Sequence, residues 1–163
     1  MTTLFEHLED CMLVCHDIPI DQDFIDYRDD HKNKFAANGR TEEERLMHAD
    51  CLIIEYTLLN RKFVVYPENI KHDFIFGNHK TDIKIITSKY FNVPSDKVEW
   101  YMGNIRSGDL TDFAFFKFTK RPQRPLEDSD VVSIKLLEVR NAEEVMNNLE
   151  PSQGDGYYYR VKI

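Results

Sequence analysis

The stretch Asp73-Phe74-Ile75-Phe76-Gly77-Asn78-His79-Lys80-Thr81-Asp82-Ile83-Lys84 decides how this chain is read. Two apolar, strand-prone runs meet across Gly77-Asn78, a two-residue hairpin signal of the primed-turn kind. With those residues at the turn, Phe76 stands opposite His79 and Asp73 opposite Asp82. Directly opposed side chains on one sheet face have Cβ atoms about 4.5–5.5 Å apart, where like charges destabilise unless something neutralises them. A divalent cation is the natural neutraliser. Lys84, two residues beyond Asp82, shares its face by the period-two rule and brings an ammonium to the pair. The competing reading of the three residues is a solvated hairpin face with an ordinary salt bridge.

Two carboxylates and a lysine at one end of a sheet suit metal-assisted phosphodiester cleavage. Hard oxygen ligands favour Mg²⁺, with Mn²⁺ as a substitute; Mg²⁺ keeps several waters and accepts phosphate oxygens as further ligands. A metal there polarises the phosphate and lowers the pKa of the attacking water. The lysine orients that water or stabilises the charge gathering on pentavalent phosphorus.

Upstream, Gly39-Arg40-Thr41-Glu42-Glu43-Glu44 offers a loop glycine, a Thr N-cap and a Glu three positions later, the spacing of a capping box. A helix is expected from Glu42 to about Asn60, with Leu46, Met47, Cys51, Leu52, Ile54, Leu58 and Leu59 at helical spacing. That leaves His48, Asp50 and Glu55 to be explained. The segment before it, to about Ala37, reads as one or two short helices. Strands are expected at Phe63–Tyr66, before a break at Pro67, then at 73–76 and 81–87. A helix follows at 96–107, a strongly aromatic strand at 113–119 and a loop at 121–125. A strand at 131–139, a short helix at 142–149 and a strand at 157–163 close the chain. With no internal repeat and no long linker, residues 1–163 form one domain of α/β or α+β class with a central mixed sheet flanked by helices. Its parts are an N-terminal helical extension (1–40), a catalytic core (41–120) and C-terminal strands and helix (121–163).

Asp73, then Asp82-Ile83-Lys84 on a hairpin, preceded by a helix containing Glu55, resembles the PD-(D/E)XK nuclease superfamily over about residues 43–119. The resemblance implies a restriction-endonuclease-like core. It implies Asp73 and Asp82 as Mg²⁺ ligands, Glu55 completing the site, the backbone carbonyl of Ile83 as a further ligand and Lys84 as catalytic. The chain departs from the pattern in having His72, not proline, before Asp73. Pro67-Glu68 is a competing match, but it leaves Glu68 out of register with Asp82, and the geometry favours Asp73. Trp100-Tyr101-Met102-Gly103-Asn104 and Phe113–Phe118 resemble, more loosely, small phage-encoded members. A bacterial or phage-infected cell is the implied setting.

Net charge is −8, which argues against a broadly basic surface. The charge is uneven, however. Residues 1–60 carry 5 basic and 14 acidic side chains, residues 61–124 carry 12 and 7, and residues 125–163 carry 4 and 8. The basic middle holds the motif, so nucleic acid is expected to dock on one face while the acidic remainder is held away. Candidate phosphate contacts are Lys80, Lys89, Lys97, Arg106, Lys117, Lys120, Arg121 and Arg124; plain solvated surface is the alternative for some.

The acidic start MTTLFEHLED and the lack of an apolar run of roughly 18–20 residues point to a cytoplasmic protein with no membrane partner. Three cysteines form no dense framework and read as reduced thiols. Cys11, Cys15 and His16 lack the four-ligand spacing of a structural zinc site. Ser88 has no evident His and Asp partners for nucleophilic catalysis, and Phe113–Phe118, without polar alternation, reads as core and not as a base-stacking platform. The expected function is a Mg²⁺-dependent endonuclease acting on DNA, as a homodimer if both strands of a duplex are cut. The alternatives are a non-catalytic protein that keeps the nuclease fold, such as an anti-defence factor, and an RNA-directed nuclease with the same site.

Overall fold

The hairpin forms in the register its sequence predicts. In a computed structural model describing residues 3–6, 8, 16–34, 40–60, 64–65, 71–152 and 158–163, β3 (Phe74–Phe76) and β4 (His79–Ile85) pair antiparallel with Phe76 opposite His79 and Phe74 opposite Thr81. Gly77 has φ +57 and Asn78 a negative φ. That is the pattern of a type II′ turn, which puts glycine at its first central position. The ladder stops at Phe74. Asp73 leaves it, its N–H donating to the Thr81 carbonyl at 2.8 Å.

Around the hairpin runs a six-stranded mixed sheet in the order β1-β7-β6-β4-β3-β2. It is completed by β1 (His16–Pro19), β2 (Val64–Val65), β6 (Asp112–Lys120) and β7 (Val131–Asn141). β4 and β6 are parallel and the other pairs antiparallel. Parallel neighbours need a crossover, and here it carries β5 (Tyr90–Pro94) and α4 (Val98–Arg106). β5 forms a second, three-stranded sheet with β9 (Tyr158–Lys162) and β8 (Glu150–Pro151). The remaining helices are α1 (Gln22–His31), α2 (Glu42–Ala49), α3 (Leu52–Asn60) and α5 (Ala142–Asn147).

β6 separates two apolar cores by the alternation of a strand. Ala114 and Phe116 pack with Phe24 of α1 and Leu52, Ile53, Ile54 and Leu58 of α3. Phe113 and Phe115 face the other way, against Phe91 and Val93 of β5, Tyr101 of α4 and Val145 and Met146 of α5. Phe113, Phe115 and Phe116 are fully buried, so the aromatic run is core. At about 1.5–3 kcal/mol per buried side chain, this strand anchors both layers.

The structure departs from the sequence reading in several places. The expected helix over 42–60 is two helices, because hydrogen bonds tighten to i−3 at Cys51, Ile53 and Ile54 around a fully buried Asp50. His16–Pro19 is a strand, not helix; it pairs with β7, where Ile18 lies opposite Val132. Within the segment read as an N-terminal extension, Leu4, Leu8, Ile20 and Phe24 pack into the first core. The strands Tyr90–Pro94 and Glu150–Pro151 have no counterpart in the sequence reading, whereas Tyr158–Lys162, which joins them in the second sheet, matches the closing strand expected at 157–163. Phe63, Tyr66 and the competing Pro67-Glu68 lie outside the described residues, as do Cys11 and Cys15. Among the described residues, no helix is long and apolar enough to cross a membrane.

The capping box is present at the start of α2: Thr41 Oγ1 accepts from the Glu44 N–H at 3.1 Å and the Glu44 carboxylate reaches back to the Thr41 N–H. Thr41→Ala is expected to lower stability by about 1 kcal/mol, read as a drop in the urea midpoint with an unchanged slope.

Candidate active site

Asp73, Asp82 and Lys84 meet on the face of the sheet that α4 covers. Lys84 Nζ is 3.0 Å from Asp82 Oδ2, and the two aspartate side chains are hydrogen-bonded to each other. Both are nearly buried, with Asp73 5% and Asp82 8% exposed. The solvated hairpin face weighed from the sequence is therefore not what forms. Asp73 Oδ2 also accepts the N–H of Ile83 at 2.6 Å.

That last bond follows from the shortness of β3. Because β3 ends at Phe74, residues 82–85 of β4 pair, among the described residues, only with β6. The Ile83 N–H points to the opposite edge and is taken by the Asp73 carboxylate in place of a backbone carbonyl. In a strand the N–H and C=O of one residue point to the same side, so the Ile83 carbonyl faces that edge as well.

A cavity of about 1280 Å³ opens there, and Asp73, Asp82, Ile83 and Lys84 line it together with Glu55. Glu55 is only 5% exposed on α3. All four side chains singled out for chemistry thus reach one cavity. Tyr101, from α4, lies beside Lys84: the two are hydrogen-bonded, with Nζ 5.2 Å from the ring centroid.

The electrostatics are those of two crowded carboxyls. Burial first, and then the charge and hydrogen bond of Asp73, push the Asp82 carboxyl up to about 8, against the pull of Lys84. For Lys84, burial alone works against the charge, but the negative charge of Asp82 and the contact with Tyr101 outweigh it and hold the ammonium above its ordinary value. Burial raises the Tyr101 hydroxyl. His48, on the same cavity, is lowered by burial and by the positive charges of Arg40 and Lys84.

Among the described residues, no three His, Cys, Asp or Glu side chains converge tightly enough to hold a metal by themselves. Mg²⁺ commonly takes only one or two carboxylates and fills its octahedron with waters and phosphate. Asp73, Asp82 and the edge-facing Ile83 carbonyl fit that demand, with Glu55 lining the same cavity. No protein-family model, curated protein or solved structure matches this chain.

The candidate phosphate contacts divide. Lys97 and Arg121 line the cavity, as does Lys117, while Lys80, Lys89, Arg106 and Lys120 do not. Arg121 is largely committed inside the protein: its Nη2 is 3.3 Å from both Asp50 Oδ2 and the Met47 carbonyl, and its guanidinium lies over the Phe118 ring. Arg124 is bound bidentately by Asp130, at 2.7 and 2.8 Å. His79 is tied to Asp112 at 2.7 Å and His72 to the Asp109 carbonyl at 2.8 Å, and neither lines the cavity. The Cys51 thiol is free and pushed up to about 11 by burial, which makes it unreactive. Tyr101 and Trp100 were not singled out for chemistry from the sequence. Their spacing marks them only as faces of a helix, and nothing local says that Tyr101 meets a lysine on β4.

The raised Asp82 carboxyl has a measurable sign. Below about pH 4 an aspartate is protonated folded or unfolded. Between there and about 8 the metal-free folded state keeps a proton that the unfolded chain has released, so metal-free stability falls as pH rises through that window. A metal needs the carboxylate deprotonated, so its stabilising effect grows over the same interval. Asp82→Asn is expected to raise the metal-free melting temperature at pH 8 and to abolish the shift on adding Mn²⁺, both read by thermal denaturation from pH 5 to 9.

Proposed function

We propose that this chain is a Mg²⁺-dependent endonuclease acting on DNA, with a restriction-endonuclease-like core. The observation that carries the proposal is the cluster of buried Asp73 and Asp82 with partly exposed Lys84, lining one cavity with Glu55. The order from Leu52 to Lys120 supports it: a helix, three strands of the six-stranded sheet, then β5 of the second sheet, a helix and β6. Two buried carboxyls in contact share a single ammonium, and such strongly perturbed titratable clusters in clefts concentrate where chemistry uses them.

When bound, Mg²⁺ would polarise the scissile phosphate and acidify the attacking water. The residues that would hold it are Asp73, Asp82 and the Ile83 carbonyl, with Glu55. Asp73 is itself held in place by the Ile83 N–H. Lys84, kept protonated by Asp82 and braced by Tyr101, orients the water and stabilises the charge that develops on phosphorus. The His48 imidazole, biased towards its neutral form, lines the same cavity. Lys97 and Lys117 at the cavity's mouth draw the phosphate backbone in. Cutting both strands of a duplex would take two copies of the chain.

The test is a cleavage assay on labelled single-stranded and duplex DNA and on matched RNAs, with Mg²⁺ or with EDTA. Cleavage of DNA with Mg²⁺ and none with EDTA is expected, together with a rise in melting temperature on adding Mn²⁺. Cleavage of RNA alone would move the substrate while leaving the site assignment intact. No cleavage of any substrate and no metal-induced shift would overturn the proposal.

A further inference from the structure

We infer that the cavity admits one strand of DNA at a time, with a base stacked on the indole of Trp100 beside the scissile phosphate. The inference rests on the nuclease reading for the position of that phosphate and goes beyond it in naming the form of the substrate.

Trp100 packs on the second core with part of its surface, and it lines the cavity, being partly exposed there. Its ring sits edge-on to Tyr101, with centroids 5.1 Å apart at 70°. Tyr101 in turn touches Lys84. Trp100 is therefore one residue along α4 from the group that braces the catalytic lysine, and a base on its ring belongs to a nucleotide next to the reacting phosphate.

Lys97, one turn earlier on the chain, holds its ammonium 5.4 Å from the Trp100 ring centroid. An exposed contact of that kind is weak, so an incoming base displaces it and leaves the ammonium for the adjoining phosphate. Stacking aromatics combined with cations that follow the backbone are how proteins hold single strands without reading sequence. Lys117 adds a second exposed cation on the cavity. The size agrees. A cavity of about 1280 Å³ is only somewhat above the roughly 300–1,000 Å³ that encloses a small organic ligand, which suits one or two nucleotides. Asp82, which lines it with Lys84, is only 8% exposed, so a phosphate meets it by entering the cavity.

Trp100 is the sole tryptophan of the chain, so its fluorescence reports on the contact directly. The experiment uses full-length Asp82→Asn protein, in which position 82 is uncharged at every pH, titrated in EDTA with a labelled 12-nucleotide single strand and a blunt duplex of the same length. The readouts are tryptophan emission and the anisotropy of the label. The single strand is expected to quench the emission and to bind about tenfold more tightly than the duplex. Adding Trp100→Ala should weaken single-strand binding about tenfold, and Trp100→Phe should restore most of it at an unchanged melting temperature. Unquenched emission with equal affinity for both substrates would overturn the inference. Mg²⁺-dependent cleavage by the wild-type protein alongside that result would leave the nuclease reading standing, whereas quenching by the single strand without any cleavage would sink the nuclease reading alone.

Discussion

Lys84→Met slows DNA cleavage by about 10²–10³-fold, the range for removing one preorganised charge donor from a reacting centre, while the protein still folds. The substitution keeps an unbranched, adaptable stem to pack against Tyr101 and removes only the ammonium, whose Nζ lies 3.0 Å from Asp82 Oδ2. Two consequences separate this from a packing defect. The loss persists at saturating Mg²⁺, because the water and the developing charge have lost their partner. The Asp82 carboxyl, already pushed up to about 8, loses the charge that pulls it down, so half-saturation by metal moves to higher pH. Lys84→Arg is not expected to rescue the rate, since a planar guanidinium cannot replace a compact ammonium wedged between Asp82 and Tyr101. Full activity in Lys84→Met, measured as single-turnover cleavage, would remove Lys84 from the reaction.

Asp50→Ala lowers stability by about 3–5 kcal/mol, the usual loss when one member of a buried ion pair is removed. Asp50 has no exposed surface. Its carboxylate accepts from Arg28 Nη1 at 2.9 Å, Arg121 Nη2 at 3.3 Å and the Leu126 N–H at 3.0 Å. Alanine takes the buried carboxylate from two guanidinium groups, with side chains 6% and 19% exposed, leaving Arg28 with Asp29 and the Leu126 carbonyl and Arg121 with the Met47 carbonyl, and orphans a buried N–H. For a domain whose total stability is about 5–15 kcal/mol, that amounts to a fall in melting temperature on the order of 6–20 °C. Asp50→Asn, which keeps acceptor capacity, should lose less. A fall of under about 1 kcal/mol in Asp50→Ala, by urea denaturation, would mean that the two arginines find other partners. Function feels the same residue, because Asp50 sits at the turn between α2 and α3 and so fixes the direction in which Glu55, one turn later, enters the cavity.

The hairpin was legible because its information is local. Gly77-Asn78 sets the turn, the turn sets the register, and the period of two then puts Asp82 and Lys84 on one face. Thr41 and Glu44 were legible for the same reason, since a capping box is a four-residue device. What escaped depends on partners distant in sequence. Asp50 reads as one more polar helix position until Arg28, 22 residues upstream, and Leu126, 76 residues downstream, close on it. His16–Pro19 is a strand because Val131–Ile134 offers an edge to pair with, a tertiary reason that overrides a weak local preference. The contact between Asp73 and Asp82 was anticipated from the register, but the ladder ends one residue earlier and a carboxylate, not a backbone carbonyl, takes the Ile83 N–H. Basic residues could be located along the chain but not sorted, because whether Arg121 and Arg124 are available depends on Asp50 and Asp130, which face them only after folding.

The most direct test of the central claim is Mg²⁺-dependent cleavage of one labelled DNA by the wild-type protein and by Asp82→Asn, purified and assayed side by side, with EDTA controls. The account predicts that the wild type cuts with Mg²⁺ and not with EDTA, and that Asp82→Asn is folded, more thermally stable without metal and inactive. Undiminished cleavage by Asp82→Asn would contradict it.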